Sequence, residues 1–134
     1  MFCFDTDVLS AVIHREPPLH LIRRVAHVPA AEQFTTSITL GELLYGAAKR
    51  GSDRLETRVR DLIESGVRVL PFDTRAAEVY GALRASLERE GRRLDEPDLR
   101  IAAIALSRDL TLVTGNVRHF SRVADLRVED WLRA

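Results

Sequence analysis

Cysteine occurs once in the 134 residues, at Cys3, so no disulfide can form within the chain. In the apolar run Phe2-Cys3-Phe4 it reads as a small buried packing residue. Lysine also occurs once, at Lys49, and the remaining basic residues are arginines. That bias suits bidentate phosphate contacts, and it equally follows from genomic base composition. Net charge is absent: twenty basic residues balance twenty acidic ones. Bulk attraction to nucleic acid is therefore excluded, and any phosphate affinity has to come from a local site. No apolar run is long enough to span a bilayer. No signal-peptide pattern is present either, because Asp5 interrupts the opening apolar run. The expected location is the cytoplasm. A Gly-rich phosphate loop and a G-x-S-x-G elbow are missing. His14, His20, His27 and His119 have no metal-ligand spacing and read as surface or packing residues.

What remains is a composition of 46% hydrophobic and 30% charged residues, that of a folded domain with a real core. We take residues 1–134 as a single domain without repeats or low-complexity segments. Phe2–Phe4 reads as a short buried strand ending at Asp5. Helices are expected over Val8–His14, which Pro17-Pro18 breaks, and over Leu19–Ala26. A strand over Phe34–Ser37 runs into a helix from Thr39 to Lys49. Gly51-Ser52-Asp53 makes a turn, with Asp53 as N-cap of a helix to Glu64. Val67–Leu70 is β-rich. Asp73 or Thr74 caps a helix over Arg75–Glu90, which Gly91 stops. Pro97 opens a helix to Arg108. Leu110–Val113 and Arg127-Val128 are the last strands, before a turn carrying Trp131. This strand–helix alternation predicts an α/β fold: an α/β/α sandwich with a small central parallel sheet surrounded by helices. In such sheets ligands bind beyond the carboxyl ends of the strands. Asp5 stands at one such end and Asn116 just after another.

Three carboxylates are tied to core elements. Asp5 ends the first strand, where it also serves as a cap for the following helix, a role Thr6 or Asp7 can share. Glu42 lies off the main apolar stripe of its helix (Leu40, Leu43, Leu44, Ala47), on a side shared with Ile38, Tyr45 and Gly46. Both a buried and an exposed Glu42 fit that pattern. Asp98 heads the stripe Asp98, Ile101, Ala102, Ala105. It falls at N3 of its helix, where the macrodipole favours an anion, and Asp95 falls at the N-cap. Carboxylates seldom go inside unless paired or metal-bound. Two unit charges about 4 Å apart repel by roughly 4 kcal/mol at an effective dielectric of 20. A converged, ionised trio therefore needs protons, arginines or a metal. Hard oxygen donors without a His or Cys cluster favour Mg²⁺, with Mn²⁺ as its substitute. Phosphodiester hydrolysis is the chemistry such a site serves.

The blocks Phe4-Asp5-Thr6-Asp7-Val8-Leu9, Ser37-Ile38-Thr39-Leu40-Gly41-Glu42-Leu43-Leu44-Tyr45-Gly46, Asp98-Leu99-Arg100-Ile101-Ala102-Ala103 and Leu112-Val113-Thr114-Gly115-Asn116-Val117-Arg118-His119-Phe120 resemble, in order and spacing, the PIN-domain nucleases. Within that family they resemble the VapC-type toxins of toxin–antitoxin pairs. The resemblance implies metal-binding acids at Asp5, Glu42 and Asp98. It places the family's fourth acidic position at Asn116, whose neutral carbonyl departs from the pattern. Thr6, Ser37 and Thr114 fall on hydroxyl positions near the family site; strand-end capping is the competing role for each. Asp7 falls where it can assist the family site, while Asp95, read from helix spacing alone, at most supports Asp98 from the N-cap. The resemblance further implies a Mg²⁺-dependent endoribonuclease acting on RNA, a homodimer, and neutralisation by a small cognate antitoxin.

Two other readings stay open. Asp5-Thr6-Asp7 after a strand also looks like the start of a haloacid-dehalogenase-type phosphatase, in which Asp5 is a nucleophile; the placement of Lys49 and Thr114-Gly115-Asn116 tells against it. Asn116 is also compatible with a metal-poor module that binds RNA or a partner without cutting. Arg100, Arg118 and Arg122 are candidate substrate contacts.

Overall fold

The computed structural model describes residues 1–134. Five parallel strands form one sheet: β1 (Phe2–Phe4), β2 (Gln33–Thr36), β3 (Arg68–Leu70), β4 (Thr111–Val113) and β5 (Val128–Glu129), in the order β3-β2-β1-β4-β5. Seven α-helices connect and flank them: α1 (Thr6–Ile13), α2 (Leu19–Ala26), α3 (Ser37–Arg50), α4 (Asp53–Glu64), α5 (Thr74–Arg89), α6 (Glu96–Ser107) and α7 (Val117–Phe120). The expected α/β/α sandwich with a central parallel sheet is what forms.

The period-two alternation of strand side chains divides the core. Cys3 and Leu112 point into a cluster with Ile101, Ala102, Ile104, Ala105 and Phe120. Phe4 and Val113 point the other way, onto Val8, Leu9, Leu21 and Trp131. Trp131 is buried and packs against Phe2 and Phe4, with ring centroids 5.0 and 5.6 Å away. α6 is buried on nearly every side, at Leu99, Ile101, Ala102, Ala103, Ile104 and Ala105. Its first turn carries the half-buried Asp98.

Several boundaries differ from the sequence reading for identifiable reasons. The first helix starts at Thr6, because Asp5 caps it by accepting from the Thr6 N–H. Ser37 is helical rather than the end of a strand: Thr36 is the N-cap of α3 and accepts from the Thr39 N–H at 3.0 Å. Ser52, not Asp53, caps α4, accepting from the Leu55 N–H. Both corrections follow one rule, that the cap is the last extended residue whose hydroxyl reaches the N3 amide. Asp73 caps α5 as expected. Asp95 takes the N-cap position of α6, but its side chain makes no capping bond. The last strand is Val128–Glu129, one residue later than expected. α7 has no counterpart in the sequence pattern, because four residues carry too little periodicity to be read.

Candidate active site

The strand order reverses at β1. The chain steps from β1 outward to β2 and β3, then returns to β4 on the other side of β1 and continues to β5. The carboxyl ends of β1 and β4 therefore flank the switch point, where α/β sheets open a crevice. Parallel pairing of Phe4 with Val113 sets Asp5 beside Thr114. The Asp5 N–H extends the ladder to the Val113 carbonyl at 2.9 Å. The Thr114 hydroxyl donates to Asp5 Oδ2 at 2.7 Å and accepts from the Asn116 N–H at 3.0 Å. One buried hydroxyl thus orients both the Asp5 carboxylate and the loop that carries Asn116.

A cleft of about 590 Å³ opens over this point. Asp5, Asp7, Glu42, Asp98, Asn116 and Thr6 line it, together with Ser10, Gly115 and Leu132. No arginine or lysine is among them. The structure therefore brings Asp5, Glu42, Asp98 and Asn116 to one opening from β1, α3, α6 and the loop after β4. Glu42 is exposed, which decides between the two readings of its helix face. Its Oε1 accepts from the Thr6 hydroxyl at 2.7 Å, and that hydroxyl lies 3.2 Å from Thr39 Oγ1. Ser37 is exposed on the first turn of α3 and does not line the cleft. The hydroxyls found near Glu42 belong to Thr6 and Thr39. Asp95 also stands outside the lining, although its charge is felt by Asp98.

Electrostatics record the crowding. Burial pushes the Asp5 carboxyl up to about 6, and the charges of Asp7 and Asp98 add to that, against the Thr114 and Thr6 donors. Asp98 is raised by burial and by the Glu42 and Asp95 charges, with His119 pulling the other way. Burial likewise raises Asp7, against the N–H groups of Gly115 and Val8. One oxygen of Asp7 accepts from the Gly115 N–H at 2.9 Å; the other, Oδ1, is buried with no partner in the protein.

These observations test the fit of a divalent cation. The donors are hard oxygens, Asp5, Asp7 and Asp98 are raised by burial and by neighbouring acidic charge, and one buried oxygen is unsatisfied. Asp5, Glu42 and Asp98, with the Asn116 carbonyl, could hold such an ion. They do not form a closed cage: no three acidic, histidine or cysteine side chains converge to coordinating distance in this conformation. The chemistry of the donor set fits, with Glu42 the most exposed of the three acids.

Three features of the site escaped the sequence reading. Ser10 and Leu132 line the cleft. His119, read there as a surface or packing residue, hydrogen-bonds through Nδ1 to Asn116 Oδ1; the only sequence signal is its i+3 spacing from Asn116. Gly115 is confined by space rather than by backbone conformation: a Cβ there would lie 2.7 Å from Leu132 Cδ1 and 2.9 Å from Asp7 Oδ2. Gly115→Ala should therefore displace Asp7 and Leu132, costing roughly 1–3 kcal/mol. Urea unfolding of the variant, read at constant m, checks this.

The PIN domain family matches residues 2–126 of the chain. The chain belongs to the PIN-domain family. Its relatives place it among the VapC-type members. The chain is 37% identical over 130 residues to the tRNA(fMet)-specific endonuclease VapC of Shigella flexneri, covering 97% of each protein. It is 34% identical over 131 residues to Ribonuclease VapC2 of Haemophilus influenzae, covering 98% of each. Among solved structures it resembles the DNA-bound VapBC of Salmonella typhimurium, with a TM-score of 0.83, 38% identity and 97% of each chain covered. It also resembles the promoter-bound VapBC2 of Rickettsia felis, with a TM-score of 0.87 and 28% identity over 97% of this chain and 98% of that one. No helix of this VapC-type chain is long and apolar enough to cross a membrane.

Proposed function

We propose that the protein is a Mg²⁺-dependent endoribonuclease, the toxin of a toxin–antitoxin pair, that hydrolyses RNA phosphodiester bonds. One observation carries the reading: four carboxylates and an Asn line a single cleft at the sheet's switch point, with no arginine or lysine among the lining residues. The curated relatives named as ribonucleases support the choice of RNA, and the VapBC complexes support a small antitoxin as partner. The same resemblance brings a cytoplasmic homodimer into the proposal.

Asp5, Glu42 and Asp98 are the proposed ligands of Mg²⁺, with Mn²⁺ substituting and Asn116 supporting. An ion held by these residues would supply charge neutralisation for a phosphate and a more acidic water. The chain's own residues prepare that chemistry. Thr114 fixes the Asp5 carboxylate against rotation, and Thr6 holds Glu42 toward the cleft. His119 orients the Asn116 amide. Asp7 lines the same cleft and adds a further carboxylate to it.

The test is cleavage of RNA, beginning with the initiator tRNA for which the Shigella flexneri relative is named. Cleavage is expected with Mg²⁺, none with EDTA, and a loss of about 100-fold or more in Asp98→Asn, the scale of removing one transition-state stabiliser. Full activity in EDTA overturns the assignment.

A second reading, a module that binds RNA without cutting, is favoured by the neutral Asn116 and the open arrangement of the acids. It predicts RNA binding with no uptake of Mn²⁺ in calorimetry. The phosphatase reading has no such support: Lys49 sits near the end of α3 over the Tyr45 ring, outside the cleft.

A further inference from the structure

A second cavity, of about 390 Å³, adjoins the acidic cleft and shares Thr6, Ser10 and Glu42 with it. It runs along α1, whose eight residues span about 12 Å. Its character changes along that length. Glu42, at the shared end, is its one acidic lining residue, while Arg15, Arg50, Arg54 and His14 line the rest.

None of the ion pairs of the protein uses Arg15, Arg50 or Arg54. Arg54 is half-buried and spends one N–H on the Ile13 carbonyl at 3.2 Å, which holds the guanidinium in the groove. Arg50 closes α3, where a helix C-terminus favours a cation, but that accounts for this residue alone. The groove also receives the N-terminal turn of α4 through Ser52, Arg54 and Leu55, an end that favours anions. Three guanidinium groups from three separate segments thus face one cavity beside the carboxylates. The arginines singled out by sequence are placed differently: Arg100 pairs with Glu96, Arg122 donates to the Arg93 carbonyl, and neither they nor Arg118 line either cavity.

We propose that this groove holds the sugar–phosphate backbone of the RNA leading into the acidic cleft, with Arg15, Arg50 and Arg54 contacting phosphates. The inference rests on the nuclease reading of the cleft and adds to it the path of the substrate. A chain of zero net charge draws a polyanion to a negative cleft through a positive surface next to it. Sequence preference is not set here, because phosphate contacts position the strand without reading bases.

The test is binding of a labelled single-stranded RNA to the full chain in EDTA, where binding is read without cleavage. The double variant Arg15→Ala/Arg50→Ala removes two exposed side chains that make no bond within the protein, so its fold is retained. It should bind about tenfold more weakly at physiological salt, and its log–log salt slope should fall by about 1.4, the counterion release of two single-strand phosphate contacts. Arg89→Ala, on the exposed face of α5, should bind as the unmodified chain does. With Mg²⁺ the double variant should show a raised KM and an unchanged kcat. RNA binding equal to that of the unmodified chain overturns the inference and leaves the nuclease reading standing, as does a double variant that loses only its response to a protein antitoxin. An unmodified chain that does not bind RNA overturns it too. Groove-dependent RNA binding with no cleavage under any divalent cation retires the nuclease reading and keeps the groove.

Discussion

Asp5→Asn is expected to abolish RNA cleavage, by about 100-fold or more, while making the metal-free protein more stable at neutral pH. The two effects have one cause. Asp5 is 5% exposed, and burial together with the neighbouring acids pushes its carboxyl up to about 6. The difference from an ordinary aspartate near 3.9 corresponds to roughly 3 kcal/mol of penalty for holding the charged form in the fold at pH 7.5. An amide keeps the shape, still accepts from the Thr6 N–H, and leaves Thr114 free to rotate its hydroxyl toward an acceptor, so most of the penalty should vanish. Function and stability are opposed at this residue, as at sites that hold like charges together for a purpose. Thermal unfolding and RNA cleavage measured on the same preparation read both halves. A variant that is destabilised and still active removes Asp5 from the site.

Acidification of the metal-free protein should mimic that substitution. The sign follows from linkage. A carboxyl whose folded pKa lies above its unfolded one binds more protons when folded, so stability rises as pH falls through the folded value and the gain is complete below the unfolded one. For Asp5 the window is about pH 6 down to about 4. Asp7 and Asp98 are raised as well and act in the same direction. Asp73 and Glu96 are lowered, Asp73 by the Ala76 N–H and Glu96 by the Tyr80 hydroxyl; they are stabilising above the ordinary carboxyl range and lose that contribution as pH falls further. The denaturation midpoint in EDTA should therefore climb between pH 7 and 5, with Asp5 contributing roughly 1 kcal/mol of equivalent stability over that range and the remainder of its roughly 3 kcal/mol only as pH nears 4. Asp5→Asn should flatten the climb. Excess Mn²⁺ should reverse the trend, because bound metal favours the ionised carboxylates that protons would otherwise neutralise.

The strand–helix rhythm was legible because buried parallel strands read as short apolar runs: Phe2–Phe4 forms as expected, and the run through Phe34 and the run ending at Val113 form within one residue of it. Asp98 was legible because its helix is buried and its face repeats at helical spacing. Ends were harder. Neighbouring hydroxyl and carboxyl residues compete to cap a helix, and the choice of Thr36 over Ser37 and Ser52 over Asp53 turns on backbone angle rather than residue type. Glu42 was ambiguous for a different reason. α3 has only two fully buried residues, Thr39 and Ala47, so its periodicity is shallow. The contacts that finish the site join residues more than a hundred positions apart, as in Thr114 with Asp5 and Gly115 with Asp7. One chain read by itself carries no signal for such pairs. The arginine groove is of the same kind, assembled from the segment after α1, the end of α3 and the start of α4.

Calorimetric titration with Mn²⁺ at pH 7.5, on the unmodified chain and on Asp5→Asn, bears most directly on the claim that the carboxylates of this cleft act together on a divalent ion. We predict saturable uptake by the unmodified chain, weaker uptake at pH 5.5, and none by the variant. Heats no larger than those of dilution across the millimolar range, from a folded chain that still binds RNA, would contradict it.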